Sequence, residues 1–358
     1  MFEFRDREMA AKIIDKLRSM DLNIKLMHVC GTHQDTLVRY GLQEMLEDVG
    51  VNVRQGPGCP VCVTTPKEIE EALALARAGK TVAIFGDLLK VPSETGSLLT
   101  AKSEGADVRL VYSIADAVEL ADQTDKEVVF IAVGFETTAP STAAVLLAQP
   151  PGNFSVLSCH RTIPNALRIL VESGKVELNG LIEPGHVSVI TGWKMYEFLS
   201  KDHGIPQVVA GFEPLDFLMG IYMVAHQIKN GEAKVDNAYE RAVTYEGNLK
   251  AQEAMRRVFE PCDVKWRGFP VLPGTGLKIR NEYEQLDARL RYRDILEPVW
   301  QKEFEEPPGC KCGDVLRGEL EPTDCPLFAK ACTPSSPVGP CMVSHEGGCT
   351  IAFKYQRQ

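Results

Sequence analysis

Six of the eleven cysteines in this 358-residue chain crowd into one stretch: Cys310, Cys312, Cys325, Cys332, Cys341 and Cys349. From Pro307-Pro308-Gly309 onward the surrounding sequence is rich in Pro and Gly and has little apolar periodicity. Such a segment buries too little apolar surface to hold itself together, so the thiols are the candidates for what holds it. Zinc fingers favour close Cys-x2-Cys pairs. Here Cys310-x-Cys312 is followed by gaps of 12, 6, 8 and 7 residues, and His345 is the only histidine nearby. Thiolate-only ligation at open spacing points to an iron–sulfur cluster, which takes four Cys, with a structural zinc as the alternative. Six candidates for four places leave the ligand set open.

Composition sets the context. Hydrophobic residues make up 44% and charged residues 25%, ordinary values for a globular protein, and the length suggests two or three domains at ~150 residues each. Lys plus Arg is 39 and Asp plus Glu is 49, a net charge of −10; a nucleic-acid partner with a broad phosphate footprint is therefore not expected. No run approaches ~18 apolar residues, and Met1 to Lys16 lacks the apolar core of a signal peptide. The expectation is a cytoplasmic chain without a membrane partner. An odd thiol count in a reducing compartment disfavours a disulfide framework and favours metal-binding or catalytic thiols.

Upstream of the tail the pattern alternates. Residues 24–29 read as a buried strand ending at Cys30-Gly31-Thr32-His33, followed by a helix over 34–49. A strand at 51–54 runs into Gly56-Pro57-Gly58-Cys59-Pro60-Val61-Cys62, and Thr65, Pro66 and Glu68 form the start of another helix, which Gly79 stops. Further strands are expected at 81–85, 108–112, 128–133, 154–158, 187–190 and 207–210. Ala132-Val133-Gly134-Phe135-Glu136 is echoed by Val209-Ala210-Gly211-Phe212-Glu213, weak support for two similar units. The fold class is thus α/β: two similar units with mostly parallel sheets, at 24–122 and 123–231, and a third, mainly helical and irregular domain from 1–23 and 232–358 carrying an iron–sulfur cluster. Within that last segment 235–259 and 286–304 read as charged helices.

The remaining candidates sit at strand ends, where open α/β sheets gather ligands. Cys59 and Cys62 are spaced to pair as a disulfide between a strand and a helix, as in redox motifs; the plainer reading is half of a zinc site. Cys30 and His33 suit a base-activated thiol or a shared metal, against a buried Cys beside a turn histidine. Asp87, Glu136 and Cys159-His160-Arg161 end other strands and are site members or helix caps. His28, His203 and His226 read as structural or surface residues, and Cys262 as an inert thiol. Neither a dinucleotide-binding glycine motif nor a P-loop follows any strand.

Taken together, Cys30-Gly31-Thr32-His33-Gln34, Gly56 to Cys62, Gly134-Phe135-Glu136-Thr137-Thr138-Ala139-Pro140, Cys312 to Gly318, Cys332-Thr333-Pro334, Met342-Val343-Ser344 and Glu346-Gly347-Gly348-Cys349 resemble the HypD family of hydrogenase maturation factors over nearly the whole chain. The resemblance implies a maturation factor with redox activity. Such proteins bind a small HypC-type chaperone and hold the iron of the [NiFe]-hydrogenase centre while cyanide, delivered by a HypE-type donor, and carbon monoxide are added. It implies one [4Fe-4S] cluster on Cys312, Cys325, Cys332 and Cys349, with Cys310 and Cys341 outside the pattern. It further implies Cys30 as ligand of the transient iron with His33 close by, and Cys59/Cys62 as a dithiol exchanging electrons with the cluster. The resemblance also implies two α/β domains and a third, cluster-bearing one. An iron–sulfur-dependent protein disulfide reductase working through Cys59 and Cys62 is the alternative function, and a zinc-binding interaction module a third.

Overall fold

A computed structural model describes residues 6–172 and 177–356. Two parallel sheets organise it. The first has the order β2 (Val51–Gln55), β1 (Ile24–His28), β7 (Gly180–Pro184), β8 (Gln207–Ala210), β9 (Val235–Asn237). The second has the order β4 (Val108–Leu110), β3 (Thr81–Ile84), β5 (Val128–Gly134), β6 (Phe154–His160). Every residue of β5, β6 and β7 is buried, the continuous apolar character expected of strands covered on both faces. The α/β class and the two similar parallel units are therefore as the sequence implies.

The path of the chain differs from the expected boundaries. Segments 24–122 and 123–231 each supply strands to both sheets: the chain lays down β1 and β2, leaves to build β3 to β6, then returns with β7, β8 and β9. Pairing is non-local, so a change in composition does not mark where a sheet ends. The N-terminal segment belongs with the first sheet too. Its helix Arg7–Arg18 buries Ile13, Ile14 and Leu17 against the helix Pro214–Asn230; the first five residues of the expected 1–23 piece lie outside the described residues.

Several elements also shift. Residues 187–190 are helical, within Gly185–Thr191, and the strand lies just before, at β7; the β-branched run Val187-Ser188-Val189-Ile190 carries the stronger strand propensity, while Glu183 disguises the true strand. The helix expected over 34–49 is two, Gly31–Arg39 and Leu42–Glu47. The helix expected over 235–259 is only Leu249–Val258, preceded by β9 and followed by an antiparallel ribbon of β10 (Phe259–Lys265) and β11 (Val271–Ile279). The charged helix expected over 286–304 is two short ones, Ala288–Arg291 and Arg293–Trp300.

One core cluster covers the face of the first sheet that meets the helices Arg7–Arg18 and Pro214–Asn230, and another packs β5 and β6 against their helices. The third and central cluster joins residues of both sheets to Cys59, Cys62, Cys312, Cys332, Cys341 and Cys349. A buried ion network fastens this centre. Arg161, 1% exposed, donates to Glu68 at 2.6 Å, to the Lys265 carbonyl and to the Cys159 carbonyl. Glu68 in turn accepts from the Thr65 amide and hydroxyl, and the guanidiniums beside it hold its carboxyl below the usual range despite burial. Removing one partner of such a pair leaves a buried charge uncompensated, at about 3–5 kcal/mol. Arg161→Met should therefore lower the unfolding free energy by roughly that amount in denaturant titration, whereas Glu47→Gln on the surface should leave the midpoint in place.

Candidate functional site

Cys30 stands two residues beyond the end of β1 and occupies the N-cap of helix Gly31–Arg39. It lines a cavity of about 310 Å³ together with Gly58, Phe135, His186 and Glu346. These residues come from beyond β1, β2, β5 and β7 and from the Cys-rich tail, so the carboxyl ends of both sheets face one space. Two glycines make the closeness possible. A Cβ on Gly58 would overlap the Cys30 amide nitrogen and the Val29 carbonyl carbon, and a Cβ on Gly31 would overlap the Glu346 backbone and side chain. Only glycine permits such backbone approach. The two sequence echoes converge here as well: Phe135 lines the cavity, and Phe212 stacks on His186 with ring centroids 3.7 Å apart.

Burial pushes the Cys30 thiol up to about 12, and the Glu346 carboxylate adds to the rise. Burial likewise raises Glu346 to about 7, helped by the charge of Asp87. Asp87 does not line the cavity. Its Oδ2 accepts from the Ser344 hydroxyl at 2.9 Å and the His345 amide at 3.2 Å, so it latches the tail loop that presents Glu346. His33, expected beside the iron, is fully buried elsewhere: its Nε2 donates to the carbonyls of Gly211 and Ala210, and burial pushes it down to about 3. It staples the first turn after Cys30 to the end of β8, and alongside it His28 Nε2 donates to Gln34 Oε1 at 2.8 Å. The imidazole that lines the cavity is His186, which the sequence reading passed over; placing β7 at 180–184 would have put it at a strand end. Glu136 stands on the far side of the wall formed by Phe135 and Thr137, lining a neighbouring cavity, and burial raises it to about 7.

The thiols form a second constellation. Cys59 and Cys62 are joined as a disulfide, both fully buried, with the short helix Pro60–Val63 between them. That helix packs against Cys312–Leu316 and Pro340–Met342, the segments carrying Cys312 and Cys341. Those two cysteines are themselves joined. This pairing joins Cys312, one of the expected cluster ligands, to Cys341, a residue outside the expected set. It leaves four unpaired tail thiols, Cys310, Cys325, Cys332 and Cys349, and all four line one small apolar pocket together with the bonded pair. Burial raises Cys310 to about 11 and raises Cys349 further, with the neighbouring thiols adding to both. The Val338 amide donates to Cys332 Sγ at 3.3 Å, and the buried guanidinium of Arg267 acts on Cys310 in the opposite sense to burial. Among the described residues no three His, Cys, Asp or Glu side chains are close enough to share a single metal ion. The donor chemistry, four thiols around an apolar space with an N–H aimed at sulfur, suits a cluster that takes one thiolate per iron.

A family profile headed HypD and described as "Hydrogenase formation hypA family" matches residues 6–356. The chain belongs to the HypD family. Over 364 residues it is 48% identical to a hydrogenase expression/formation protein of Methanocaldococcus jannaschii, covering all of both chains. It is 42% identical to the hydrogenase maturation factor HypD of Cupriavidus necator and 43% identical to HypD2 of Bradyrhizobium diazoefficiens, each over 99% of this chain and 96% of the relative. Membership makes it a hydrogenase maturation factor, and among the described residues no helix is long and apolar enough to cross a membrane.

Because the Glu346 charge raises the Cys30 thiol, Glu346→Gln should lower it and increase the thiolate fraction. At pH 8 Cys30 alkylation, followed by mass spectrometry, should be several-fold faster in that variant. An unchanged rate would place Glu346 out of electrostatic reach.

Proposed function

We propose that this chain is the scaffold on which the Fe(CN)2CO part of a [NiFe]-hydrogenase centre is assembled. It holds the iron as cargo at Cys30 together with a small HypC-type chaperone and receives cyanide through a HypE-type donor. The observation that carries the reading is the gathering of three sulfur-bearing segments: the tail cysteines around one pocket, the helix between Cys59 and Cys62 packed on the segments of Cys312 and Cys341, and Gly58, the neighbour of Cys59, against the backbone of Cys30.

Cys310, Cys325, Cys332 and Cys349 would hold a [4Fe-4S] cluster, Cys310 taking the place that the family pattern gives to Cys312. When bound, such a cluster supplies electrons one at a time. The Cys59–Cys62 pair passes two at once, as any disulfide/dithiol couple does.

At the other end, burial keeps the Cys30 thiol protonated at pH 7 and raises Glu346 to about 7. A divalent cation entering the cavity favours the charged form of each, so iron uptake displaces protons. A soft thiolate then raises electron density on iron, which strengthens its bonds to cyanide and carbon monoxide. His186, at the cavity wall with its pKa lowered by burial, offers a neutral ring nitrogen to iron or to an incoming ligand. The reductase reading is weakened by burial: both sulfurs of Cys59–Cys62 are 0% exposed, which leaves no face for a protein disulfide to approach.

Infrared spectroscopy of the chain co-purified with its small partner tests the scaffold reading. Cyanide and carbonyl stretching bands are expected, and Cys30→Ala should abolish them while iron and acid-labile sulfide stay; bands that persist in Cys30→Ala would overturn it. The ligand set has its own test. Cys310→Ala should remove the visible thiolate-to-iron absorbance and the sulfide, whereas Cys312→Ala should retain both.

A further inference from the structure

The Cys312–Cys341 bond joins residues 29 positions apart, and its two ends are rooted in different places. Cys312 begins the helix Cys312–Leu316. Its neighbour Gly313 lies so close to Gly268 that a Cβ on either would overlap the Cα of the other, and Arg317 donates to the Gly268 carbonyl. Arg267, 1% exposed, donates through its backbone N–H to the Val63 carbonyl and through Nε to the Thr64 carbonyl, both at 2.9 Å. The Cys312 end is therefore fixed to the close of helix Pro60–Val63.

The Cys341 end leads to Cys30. A Cβ on Gly347 would overlap the Cys341 carbonyl, and the Thr350 hydroxyl donates to that same carbonyl at 3.1 Å. Glu346, one residue before Gly347, lies on Gly31 and lines the Cys30 cavity. Thr350 belongs to the helix Gly348–Tyr355, which packs on Gly31–Arg39, the helix that Cys30 caps. Two routes of direct contact thus run from Cys341 to the wall of the Cys30 chamber. The tail has little apolar periodicity, and packing alone secures such a segment poorly. Of the links that hold it, the Cys312–Cys341 bond is the one that a change of redox state breaks.

We propose that the Cys312–Cys341 bond is a redox-sensitive latch on the Cys30 chamber: closed, it holds the Glu346 loop down on Gly31; opened, it lets that loop lift and Cys30 meet molecules from solvent. Opening is a thiol–disulfide exchange with a small dithiol. The two S–H groups of the dithiol become one disulfide, the Cys312–Cys341 bond breaks, and each of the two cysteines takes up a proton as a thiol. Two electrons and two protons pass from reductant to pair, and a small disulfide reverses the step. Cys310 and Cys325 line the same pocket and are partly exposed, which gives a small reductant its way in. Once the bond is open, segment 341–350 keeps only its non-covalent contacts and opens locally more often. The use of the latch rests on the reading of Cys30 as the cargo site: opened it admits iron and its ligands, and closed it excludes water from them.

The test measures alkylation of Cys30 in the full-length protein under anaerobic conditions by mass spectrometry. Cys159, buried on β6 beside Arg289, is the internal reference: global unfolding exposes both thiols, whereas lifting of the loop exposes Cys30 alone. The double variant Cys312→Ala/Cys341→Ala removes the bond and leaves no new thiol. It should alkylate Cys30 roughly 30-fold faster, the lower end of what closing such a loop contributes, with the Cys159 rate unchanged and hydrogen exchange quickened over 341–350. In the wild type dithiothreitol should produce the same rise and re-oxidation should reverse it. The Cys59→Ala/Cys62→Ala protein should respond to dithiothreitol as the wild type does, which assigns the response to the latch. Should Cys312→Ala/Cys341→Ala fail to fold, the wild type before and after reduction of the pair carries the test. A Cys30 rate that changes by less than about twofold once the bond is gone, or a rise matched at Cys159, would overturn the latch and leave the infrared test of the scaffold untouched. Infrared bands that persist in Cys30→Ala overturn the scaffold reading, and with it the use of the latch, but not its mechanics.

Discussion

Backbone meets backbone at Cys30. The Gly58 turn lies directly on the Val29–Cys30 peptide, and the Glu346 loop, hundreds of residues away in sequence, lies directly on Gly31, so three segments are held within van der Waals distance of one another. Everything chemical about the cavity depends on these two contacts. They seal Cys30 against water on two sides, which raises its thiol, and they deliver Glu346 to the same space. They also bring Cys59 to the threshold of the cavity, because Gly58 is its neighbour in sequence. The Asp87 latch on Ser344 and His345 secures one contact, and the packing of Gly347 on the Cys341 carbonyl ties it to the paired tail cysteines.

Much of this was legible in the residues. The β-α alternation, the Thr65–Glu68 capping box, the closure of Cys59 with Cys62 and the convergence of the tail cysteines all follow from local spacing. What was not legible is what depends on pairing at a distance. Two sheets that share their segments cannot be drawn from one-dimensional boundaries. The ribbon of β10 and β11 shows in Phe259–Lys265 the alternation of a strand with one wet face, but Pro261 within that run speaks against a strand. His33 looked like a site residue because it stands three positions from Cys30, yet a helical turn carries it inward to the carbonyls of Ala210 and Gly211. His186 looked like nothing because its strand was placed too late in the sequence. The partner of Cys312 is likewise a matter of folding: spacing alone admits either Cys310 or Cys312 at the pocket.

The buried charges obey a common logic. Where a charged group is permanently needed for structure it is paired, as Arg161 is with Glu68 and Arg289 with Glu71 at 2.7 Å. Where a buried carboxyl has no cation beside it, burial raises its pKa, as at Glu136, Glu183 and Glu346. Unpaired acids in a dry interior destabilise the fold as pH rises through their raised pKa values, because the unfolded chain ionises earlier. Groups held near neutrality in this way change charge state readily, which is the electrostatic mark of many functional sites.

The interleaved chain path has a temporal side. β1 and β2 leave the ribosome first, but the strand that completes their pairing, β7, follows only after the whole second sheet has been made. The loop bearing Glu346 comes later still, within the last few turns of chain. During synthesis Cys30 therefore waits on a half-built sheet, flanked by Gly58 but with neither His186 nor Glu346 in place. A chain lacking the Glu346 loop offers metal a bare thiol and no enclosure; the chamber is closed only once β7 and that loop have joined Cys30.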